Sequence, residues 1–290
     1  MEEINIQKND ADQRLDVFLR KTFPKMSSSL MYKAIRNKKI KINRKRCTFN
    51  QKLVEGDSIL LFLPPDVLEM KERKIEKTAC SKVDVVYEDQ NILVVNKPYG
   101  LRSQCDEKGQ DCLVSRIQAY LIEKGEYDPD FEHYFAPTIC HRLDRNTTGL
   151  VIAAKNASSL RIVNEAIRNR KVKKYYKALV QGTMEPMDIT VYIKKVGTKA
   201  HVSQTPKEGF LKARTLVKPI REVDGDTWCE IELKTGRFHQ IRSSLSFVGH
   251  PLVSDVKYGS SKKKSSYQLQ AYRLDLSQVE LPLAKKIFEI

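Results

Sequence analysis

The chain has 290 residues, and its 52 Lys and Arg against 36 Asp and Glu give a net charge of +16. Hydrophobic residues make up 41% of it, which excludes wholesale disorder, and the length fits one or two domains. No apolar run approaches the roughly 20 residues of a membrane helix, and the polar, acidic start is unlike a signal or transit peptide. We therefore expect a cytoplasmic protein with a polyanionic partner. The alternative is a basic surface that only promotes solubility.

The six cysteines contain no CxxC pair. A structural zinc site needs about four convergent ligands, usually in close sequence pairs. Cys140–His141, with His133 nearby, is the only Cys/His cluster, and it lacks that spacing. We therefore expect no bound metal and interpret the cysteines as buried free thiols in a reducing compartment.

The positive charge is concentrated in residues 20–52, which we call the basic segment. It holds twelve Lys or Arg and no acidic residue. A block of like charge this dense repels itself unless a polyanion neutralises it. The segment is nevertheless not a tail, because apolar residues recur at helical spacing around Leu15–Leu19 and Leu30–Ile35. Ser27–Ser29 can cap the second helix, and short strands are expected at 40–42 and 58–63.

These N-terminal patterns resemble the small RNA-binding domain named after ribosomal protein S-four. The resemblance rests on Arg14-Leu15-Asp16, the serines before a basic helix, the stretch ending at Asn43 and Glu55-Gly56-Asp57. The family usually has a glycine in the helix-to-strand turn, where this chain has Asn37-Lys38-Lys39. The resemblance implies RNA contacts from Lys33, Arg36, Lys38 and Arg44. The alternative is a basic helical cap that packs on the main domain.

Breaks in the pattern predict the domain organisation. Pro64-Pro65 ends the last N-terminal strand, and the charged, weakly periodic residues 66–80 suit a linker. We therefore predict a small α/β RNA-binding domain at 1–65, a linker at 66–80 and a larger domain at 81–290. Lys262-Lys263-Lys264, flanked by serines, is interpreted as a mobile basic loop.

In the larger domain, strands follow one another with a few helices between them. A hairpin is predicted from the β-branched runs at 83–86 and 92–95. Helices are predicted at 112–124, capped by Asp111, then from Asn156 or Ser158 to about Arg170, and at 239–248. Further strands are predicted at 149–155, 175–181 and 228–234. Because strands and helices do not alternate regularly and no GxGxxG occurs, we expect an α+β fold with a mainly antiparallel mixed sheet.

The segment H-R-L-D-R-N-T-T-G-L at 141–150 carries the most chemical information. It precedes a predicted buried strand, so it forms a loop that the core presents. Asp144 lies between Arg142 and Arg145, and positive charge so close is expected to lower the pKa of its carboxyl and keep it ionised. Taken alone, an Asp between two Arg is more often an ion pair or a cap.

Other segments extend this pattern. They are K-P-Y-G at 97–100, K-K-Y-Y-K-A at 173–178, T-G-R-F-H-Q-I-R at 235–242 and G-H-P-L-V-S-D-V-K-Y-G at 249–259. With the Asp144 segment they occur in the order found in the RluA-type pseudouridine synthases. The resemblance covers about residues 83–275, and the ten-residue Asp motif is highly specific. Departures such as Thr148, Ser243-Ser244 and Ser254 leave the Asp, Tyr and Arg positions intact.

The resemblance implies an RNA pseudouridine synthase without cofactor or metal. Asp144 matches the catalytic aspartate, which either attacks carbon 1′ of the ribose or abstracts the 2′ proton. Tyr176 matches the pocket tyrosine that stacks on the base and serves in proton transfer, and its neighbour Tyr175 is the alternative, since only one of them can face the pocket. Arg242 matches the arginine that pairs with the aspartate and keeps it charged.

The resemblance also implies residues that contact RNA. A stacked uridine cannot reach such a pocket, so the base must flip out, and Arg142 is the candidate to fill the gap that it leaves. Ile241 matches the apolar pocket wall, and His141 is expected to shape the loop without acting as acid or base. The remaining predicted contacts are Leu143, Thr148, Lys174 and Arg237.

The interpretation leaves alternatives open. Structured ribosomal RNA, in particular that of the large subunit, is favoured over transfer RNA as substrate, and a monomer is the default. A non-catalytic RNA-binding or ribosome-assembly protein is a second hypothesis. A hydrolase with paired carboxylates is a third, and it is disfavoured because no motif offers Asp144 an acidic companion.

Overall fold

The computed structural model describes residues 1–69, 81–106, 111–129, 132, 135–262 and 266–290. Its helices are α1 (Leu15–Thr22), α2 (Ser28–Arg36), α3 (Leu113–Glu123), α4 (Ala157–Arg168) and α5 (Gln240–Phe247). The strands are β1 (Glu2–Asn5), β2 (Ile40–Ile42), β3 (Lys45–Arg46), β4 (Ser58–Leu61), β5 (Asp84–Glu88), β6 (Ile92–Lys97), β7 (Thr138–Ile139), β8 (Thr148–Ala154), β9 (Lys173–Gln181), β10 (Met187–Val196), β11 (Lys199–Ser203), β12 (Leu211–Val223), β13 (Asp226–Leu233), β14 (Leu269–Asp275) and β15 (Ile287–Glu289). Within these ranges no helix is long and apolar enough to span a membrane.

The N-terminal part forms a four-stranded antiparallel sheet in the order β1-β4-β2-β3, with its own core. Phe18 from α1, Met31 from α2 and Ile40 from β2 are all fully buried there. The Ser27 side chain accepts a hydrogen bond from the Leu30 N–H, so the predicted cap is confirmed. Lys38 takes the left-handed backbone conformation that the missing glycine would favour, with φ of 59°. Strand β1, in the acidic start, was not predicted.

The predicted linker begins inside this structure. Leu68 is buried in the same core as Leu63, because turns at Pro64 and Pro65 fold the chain back. Residues 70–80 of the predicted linker, and with them Cys80, lie outside the described residues. So do residues 263–264 of the predicted basic loop. The domain boundaries at 65 and 80 remain predictions.

The second sheet has eleven strands, and its main path runs β11-β10-β12-β13-β9-β14-β8-β6-β5. Every pair is antiparallel except β14 with β8, which confirms a mainly antiparallel mixed sheet in an α+β fold. At the parallel pair, Gly149 has φ of +113°, and a Cβ there would overlap the backbone of Ala271. Only glycine therefore lets β8 approach β14 so closely.

Both faces of this sheet are covered. Alternate residues of β6 and β8 point into two separate cores: Leu93 and Val151 face one, and Ile92 and Leu150 face the other. Helices α3 and α5 pack into the first core, and α4 packs into the second. The N-terminal part contacts this body through hydrogen bonds from the Asn9 side chain to Glu132 and from the Phe135 N–H to Asp10.

Two local predictions were wrong. Cys112, not Asp111, occupies the N-cap of α3, and the Asp111 carboxylate instead accepts hydrogen bonds from the Arg116 guanidinium. Cys105 and Cys112 form a disulfide, with their Cα atoms 5.4 Å apart, whereas both were predicted to be free. Cys112 also pairs with Arg102 in an isolated parallel β-bridge. Cys47, Cys140 and Cys229 are free thiols, as predicted, but only Cys229 is buried, whereas Cys47 and Cys140 are partly exposed.

Candidate active site

Asp144 lies in the loop between β7 and β8, and backbone hydrogen bonds fix that loop. The Thr147 N–H donates to the Asp144 carbonyl oxygen at 3.0 Å, which closes a turn. The Ser103 hydroxyl accepts from the Leu143 N–H at 3.0 Å and donates to the Leu143 carbonyl at 2.7 Å. Ser103 therefore fixes both backbone groups of Leu143, the residue that precedes Asp144, and so helps to hold the carboxylate in place.

Lys97 ties the K-P-Y-G turn to this loop. Its ammonium is fully buried and donates to the carbonyl oxygens of Pro98, Leu101 and Arg145 at 2.8–3.0 Å. Burial lowers the pKa of Lys97 to about 8, and the Asp144 charge opposes that shift. Three carbonyl acceptors satisfy its three N–H donors, so Lys97 acts as an internal brace of the loop.

Arg242, on α5, is the cation nearest to Asp144 and joins it to a second carboxylate. Its Nη1 lies 3.7 Å from Asp144 Oδ2, which is too long for a hydrogen bond. The same guanidinium makes a bidentate pair with Asp255, at 2.6 and 2.8 Å. Burial opposes the cation, yet the hydrogen bonds from Arg242 to Asp255 keep the pKa of Arg242 above its usual value. The predicted partner of Arg242 is therefore close to it, but Asp255 is the tighter one.

Two tyrosine rings hold the guanidinium in place. Arg242 Cζ lies 4.9 Å from the ring centroid of Tyr258 and 4.5 Å from that of Tyr267. Such cation–π contacts contribute about 2 kcal/mol when they are desolvated. Carboxylates and rings together fix Arg242 in one orientation beside Asp144.

The predicted pKa shift of Asp144 had the wrong sign. Burial raises the pKa of this carboxyl, and the charges of Arg242 and Arg142 only partly offset that effect. The prediction counted the neighbouring cations and omitted the cost of removing a carboxylate from water. Asp144 is thus more basic than an ordinary aspartate.

Tyr175 and Tyr176 lie on opposite faces of strand β9. Tyr176 is buried in the same core as Leu143 and Ile241. Burial raises the pKa of Tyr176 and the charge of Asp144 raises it further, so the phenol lies within electrostatic range of Asp144 and keeps its proton. Tyr175 points the other way, where its ring stacks under Arg273 at 5.2 Å.

His141 and Lys174 form a separate group beside Cys140. The Ile152 N–H donates to His141 Nε2 at 3.2 Å, and burial lowers the pKa of His141, so the imidazole is neutral and links the loop to β8. Burial lowers the pKa of Lys174 to about 8. The electrostatic partners of Lys174 are Cys140 and His141, so it does not join the cations around Asp144.

The other predicted residues divide between rim and core. Arg142 is exposed and close enough to Asp144 to act on its pKa, whereas the Arg237 side chain is tied to the Lys212 carbonyl at 3.1 Å. Leu143 and Ile241 are core residues, 5% and 4% exposed, because the loop and α5 dock through them. Thr148 opens β8 and is paired with Gln270 of β14.

Sequence reasoning missed part of this site. Asp255 and Tyr258 both belong to the G-H-P-L-V-S-D-V-K-Y-G motif, so their presence in a matched motif was the available signal. Tyr267 lies outside every motif, and no pattern singled it out. Asp255 is also the acidic neighbour that the hydrolase hypothesis lacked. Both of its oxygens are occupied by Arg242 and it is 1% exposed, so it offers no free acid or base.

Solved structures with a similar fold are pseudouridine synthases. The human RNA pseudouridylate synthase domain containing 4 has a TM-score of 0.57 and 23% identity, over 71% of this chain and 87% of that chain. The human RNA pseudouridylate synthase domain containing 1 has a TM-score of 0.56 and 22% identity, over 76% and 85%. At this identity the likeness defines the fold, which is that of a pseudouridine synthase.

Sequence comparison gives the family. Residues 91–247 match the RNA pseudouridylate synthase family. An uncharacterized RNA pseudouridine synthase of Mycoplasma capricolum is 33% identical over 96% of this chain and 92% of its own length. The ribosomal large subunit pseudouridine synthase C of Buchnera aphidicola subsp. Baizongia pistaciae is 34% identical over 89% and 81%. The chain therefore belongs to the RNA pseudouridylate synthase family and is an isomerase that converts uridine in RNA to pseudouridine.

Proposed function

We propose that Asp144 is the catalytic residue of this isomerase. The observation that carries the proposal is a partly buried carboxylate 3.7 Å from a fixed guanidinium, inside the most specific motif of the chain. An ionised Asp144 either attacks carbon 1′ of the ribose or removes the 2′ proton, and both routes need the charged form. Arg242 stabilises that form. The glycosidic bond from nitrogen 1 breaks, the uracil turns, carbon 5 bonds to carbon 1′, the carbon-5 proton is released, and nitrogen 1 takes up a proton.

Tyr176 is the proposed partner of the uracil. Its ring lies in an apolar setting on the Asp144 side of β9, where a flipped base can stack. Because burial and Asp144 both raise its pKa, Tyr176 stays a phenol at neutral pH and offers an O–H rather than a phenolate. Arg142, exposed beside the carboxylate, is the proposed residue that fills the gap in the RNA stack.

The N-terminal part is proposed to be an S-four-like RNA-binding module. The side chains of Lys33, Arg36, Lys38 and Arg44 are exposed, and no ion pair in the described part of the chain neutralises them. Tyr32 and Phe49, 44% and 42% exposed, meet edge to face at 5.3 Å, and Arg14 Cζ lies 5.7 Å from the Phe49 ring centroid. Cations supply phosphate contacts and exposed rings supply stacking surfaces, which together suit RNA.

The proposed substrate is large-subunit ribosomal RNA, and the proposed compartment is the cytoplasm, where the protein acts as a monomer. The support is the printed name of several relatives, ribosomal large subunit pseudouridine synthase C, at 28–34% identity over 88–89% of this chain. The exposed cations of the N-terminal module also favour a large, structured RNA, because such an RNA presents many phosphates to them.

Mapping pseudouridines in total RNA tests this proposal. A strain that lacks the gene is compared with the same strain carrying the wild-type gene or the Asp144→Asn gene. We expect sites in large-subunit ribosomal RNA that only the wild-type gene restores. If sites are lost in transfer RNA alone, transfer RNA replaces large-subunit ribosomal RNA as the substrate. Full restoration by Asp144→Asn would refute the catalytic assignment.

A further inference from the structure

His239 is held in an unusual way next to Asp144. It precedes α5 with φ of 51°, a left-handed conformation that a non-glycine residue rarely takes. Its ring stacks on Phe238, with centroids 3.8 Å apart, and meets the edge of Tyr258. Nε2 lies 3.7 Å from Asp144 Oδ2, and Nδ1 lies 2.7 Å from the Tyr258 hydroxyl. Strained residues held by their surroundings are common at functional sites.

The hydrogen-bond directions follow from the backbone. The Ala200 N–H, on β11, donates to the Tyr258 hydroxyl oxygen at 2.8 Å. The Tyr258 proton is left for an acceptor, and His239 Nδ1 is the acceptor within reach. In a neutral ring the proton then sits on Nε2, which is the nitrogen that faces Asp144. The reverse tautomer would point a lone pair at the carboxylate and leave the tyrosine proton without an acceptor.

The surroundings keep this imidazole neutral. The cations that act on it are Arg242, Lys257, Arg142 and Lys195, from α5, the turn after Asp255, the Asp144 loop and β10. Burial is the largest cause, the four positive charges add to it, and together they lower the pKa of His239 to about 3. A ring that does not take up a proton is a poor acid or base but a good fixed donor.

We propose that His239, locked by Tyr258 as its Nε2–H tautomer, is a positioning residue that donates a hydrogen bond to the Asp144 carboxylate when RNA fills the site. The proposal rests on the catalytic role of Asp144 proposed above. The 3.7 Å separation closes on substrate binding, because catalytic hydrogen bonds are often long in an empty site. Arg242 and His239 then hold the same oxygen, Oδ2, and leave Oδ1 for the ribose.

Matched variants separate positioning from packing. His239→Phe keeps a ring to stack on Phe238 but has no N–H, whereas His239→Gln places an N–H near the position of Nε2. We expect His239→Phe to lower kcat about 10–100-fold with KM for RNA nearly unchanged, and His239→Gln to recover most of that loss. The control is His201→Gln, an exposed histidine of β11, which should behave like wild type.

The pH profile gives a readout that packing would not move. The groups that face Asp144 are Arg242, Arg142, Asp255, Lys97, Tyr176, Tyr258, Tyr267 and His239. Loss of a donor to the charged carboxylate raises its pKa. The acid limb of kcat/KM should therefore move to higher pH in His239→Phe and return in His239→Gln. Equal loss in both variants with an unmoved limb would overturn the proposal.

A second measurement does not depend on activity. The ¹⁵N resonances of the histidine rings report which nitrogen carries a proton, and loss of one set in His239→Gln assigns that residue. We expect a neutral ring, protonated at Nε2, from pH 5 to 8 in wild type. A charged ring or an Nδ1–H tautomer would overturn the proposal. If Asp144→Asn converts uridine at the wild-type rate while the Nε2–H tautomer is observed, the proposed catalytic role of Asp144 fails and the tautomer assignment stands.

Discussion

Arg36 and Arg242 are both arginines of short helices, yet their surroundings differ in every respect. Arg36 ends α2 in solvent, without an ion pair among the described residues. Arg242 is 8% exposed in its side chain, is paired with Asp255, lies between two tyrosine rings and sits 3.7 Å from Asp144. An exposed cation keeps its hydration and can meet a phosphate with little loss of free energy. A buried cation has lost its hydration, so charged and polar groups of the protein must stabilise it instead.

This difference separates two uses of the same net charge. The basic segment offers exposed cations, which suit binding of a phosphate backbone that the protein contacts without strict geometry. In the Asp144 site, the buried cations are engaged by internal partners, which suits chemistry at one uridine. We therefore expect changes in the Asp144 site to alter stability and turnover, and changes in the basic segment to alter affinity and its salt dependence.

The largest difference should appear between two glycines, one in the Asp144 motif and one in the N-terminal part. Gly149→Ala should lower the free energy of unfolding by more than about 4 kcal/mol, because the new Cβ overlaps the Ala271 backbone. Gly56→Ala, at φ of +85° in open space, should cost only about 1 kcal/mol of strain. Urea unfolding of both variants measures this contrast. Similar losses for the two glycines would contradict the close approach of β8 to β14 as the cause.

Arg242→Met should come next, because it leaves the buried Asp255 without a partner. We expect a loss of about 3–5 kcal/mol in stability and loss of turnover. Adding Asp255→Asn removes the unpaired charge, so the double variant should regain stability while Asp144 still lacks its cation. Thermal unfolding and tritium release from RNA labelled at uridine carbon 5 separate the two effects. A double variant with wild-type turnover would show that Arg242 serves the fold alone.

Neutralising the N-terminal cations should change binding alone. With Lys33, Arg36, Lys38 and Arg44 all replaced by Gln, the slope of log K against log salt should become less negative by about 3, since each phosphate contact contributes about 0.7–0.9. The control replaces four exposed cations elsewhere, Lys218, Arg221, Lys285 and Lys286. Filter binding of ribosomal RNA fragments across salt concentrations measures both. An equal change in the control would mean that only net charge matters.

The smallest expected change is a shift in the acid limb of the pH profile of Arg142→Gln. The pKa of Asp144 is raised by burial and lowered in part by Arg142, so removing that cation should raise it further. As pH falls, the ionised, active carboxylate is then lost at a higher pH than in wild type, and the acid limb of kcat/KM should move upward. Arg145→Gln is the matched control, because Arg145 is exposed and its side chain binds the Gly100 carbonyl. A shift of the limb toward lower pH in Arg142→Gln would contradict the expected sign.

Local pattern predicted much of the frame of the site. The β-branched runs predicted the β5–β6 pair, and Asn156 and the apolar face of α4 marked that helix correctly. The long strands β10 and β12 were missed, although Ile189, Val191 and Ile193 alternate with more exposed residues in β10. In β12 the buried positions include small and polar residues, Ala213 and Thr215, which weaken the apolar pattern. Motif order singled out Asp144, Tyr176 and Arg242. It did not reveal the pairing of Arg242 with Asp255 or the raised pKa of Asp144, since both depend on burial created by distant segments.

The separation of catalysis at Asp144 from RNA binding by the basic segment is tested most directly by the rate at which Asp144→Asn releases tritium, with RNA affinity measured in parallel. RNA containing carbon-5-tritiated uridine is mixed with excess wild-type or variant protein, and release and the dissociation constant are followed on the same samples. We expect wild type to release tritium, and the variant to be slower by at least about 100-fold with affinity nearly unchanged. Release by the variant at the wild-type rate would contradict the central role of Asp144.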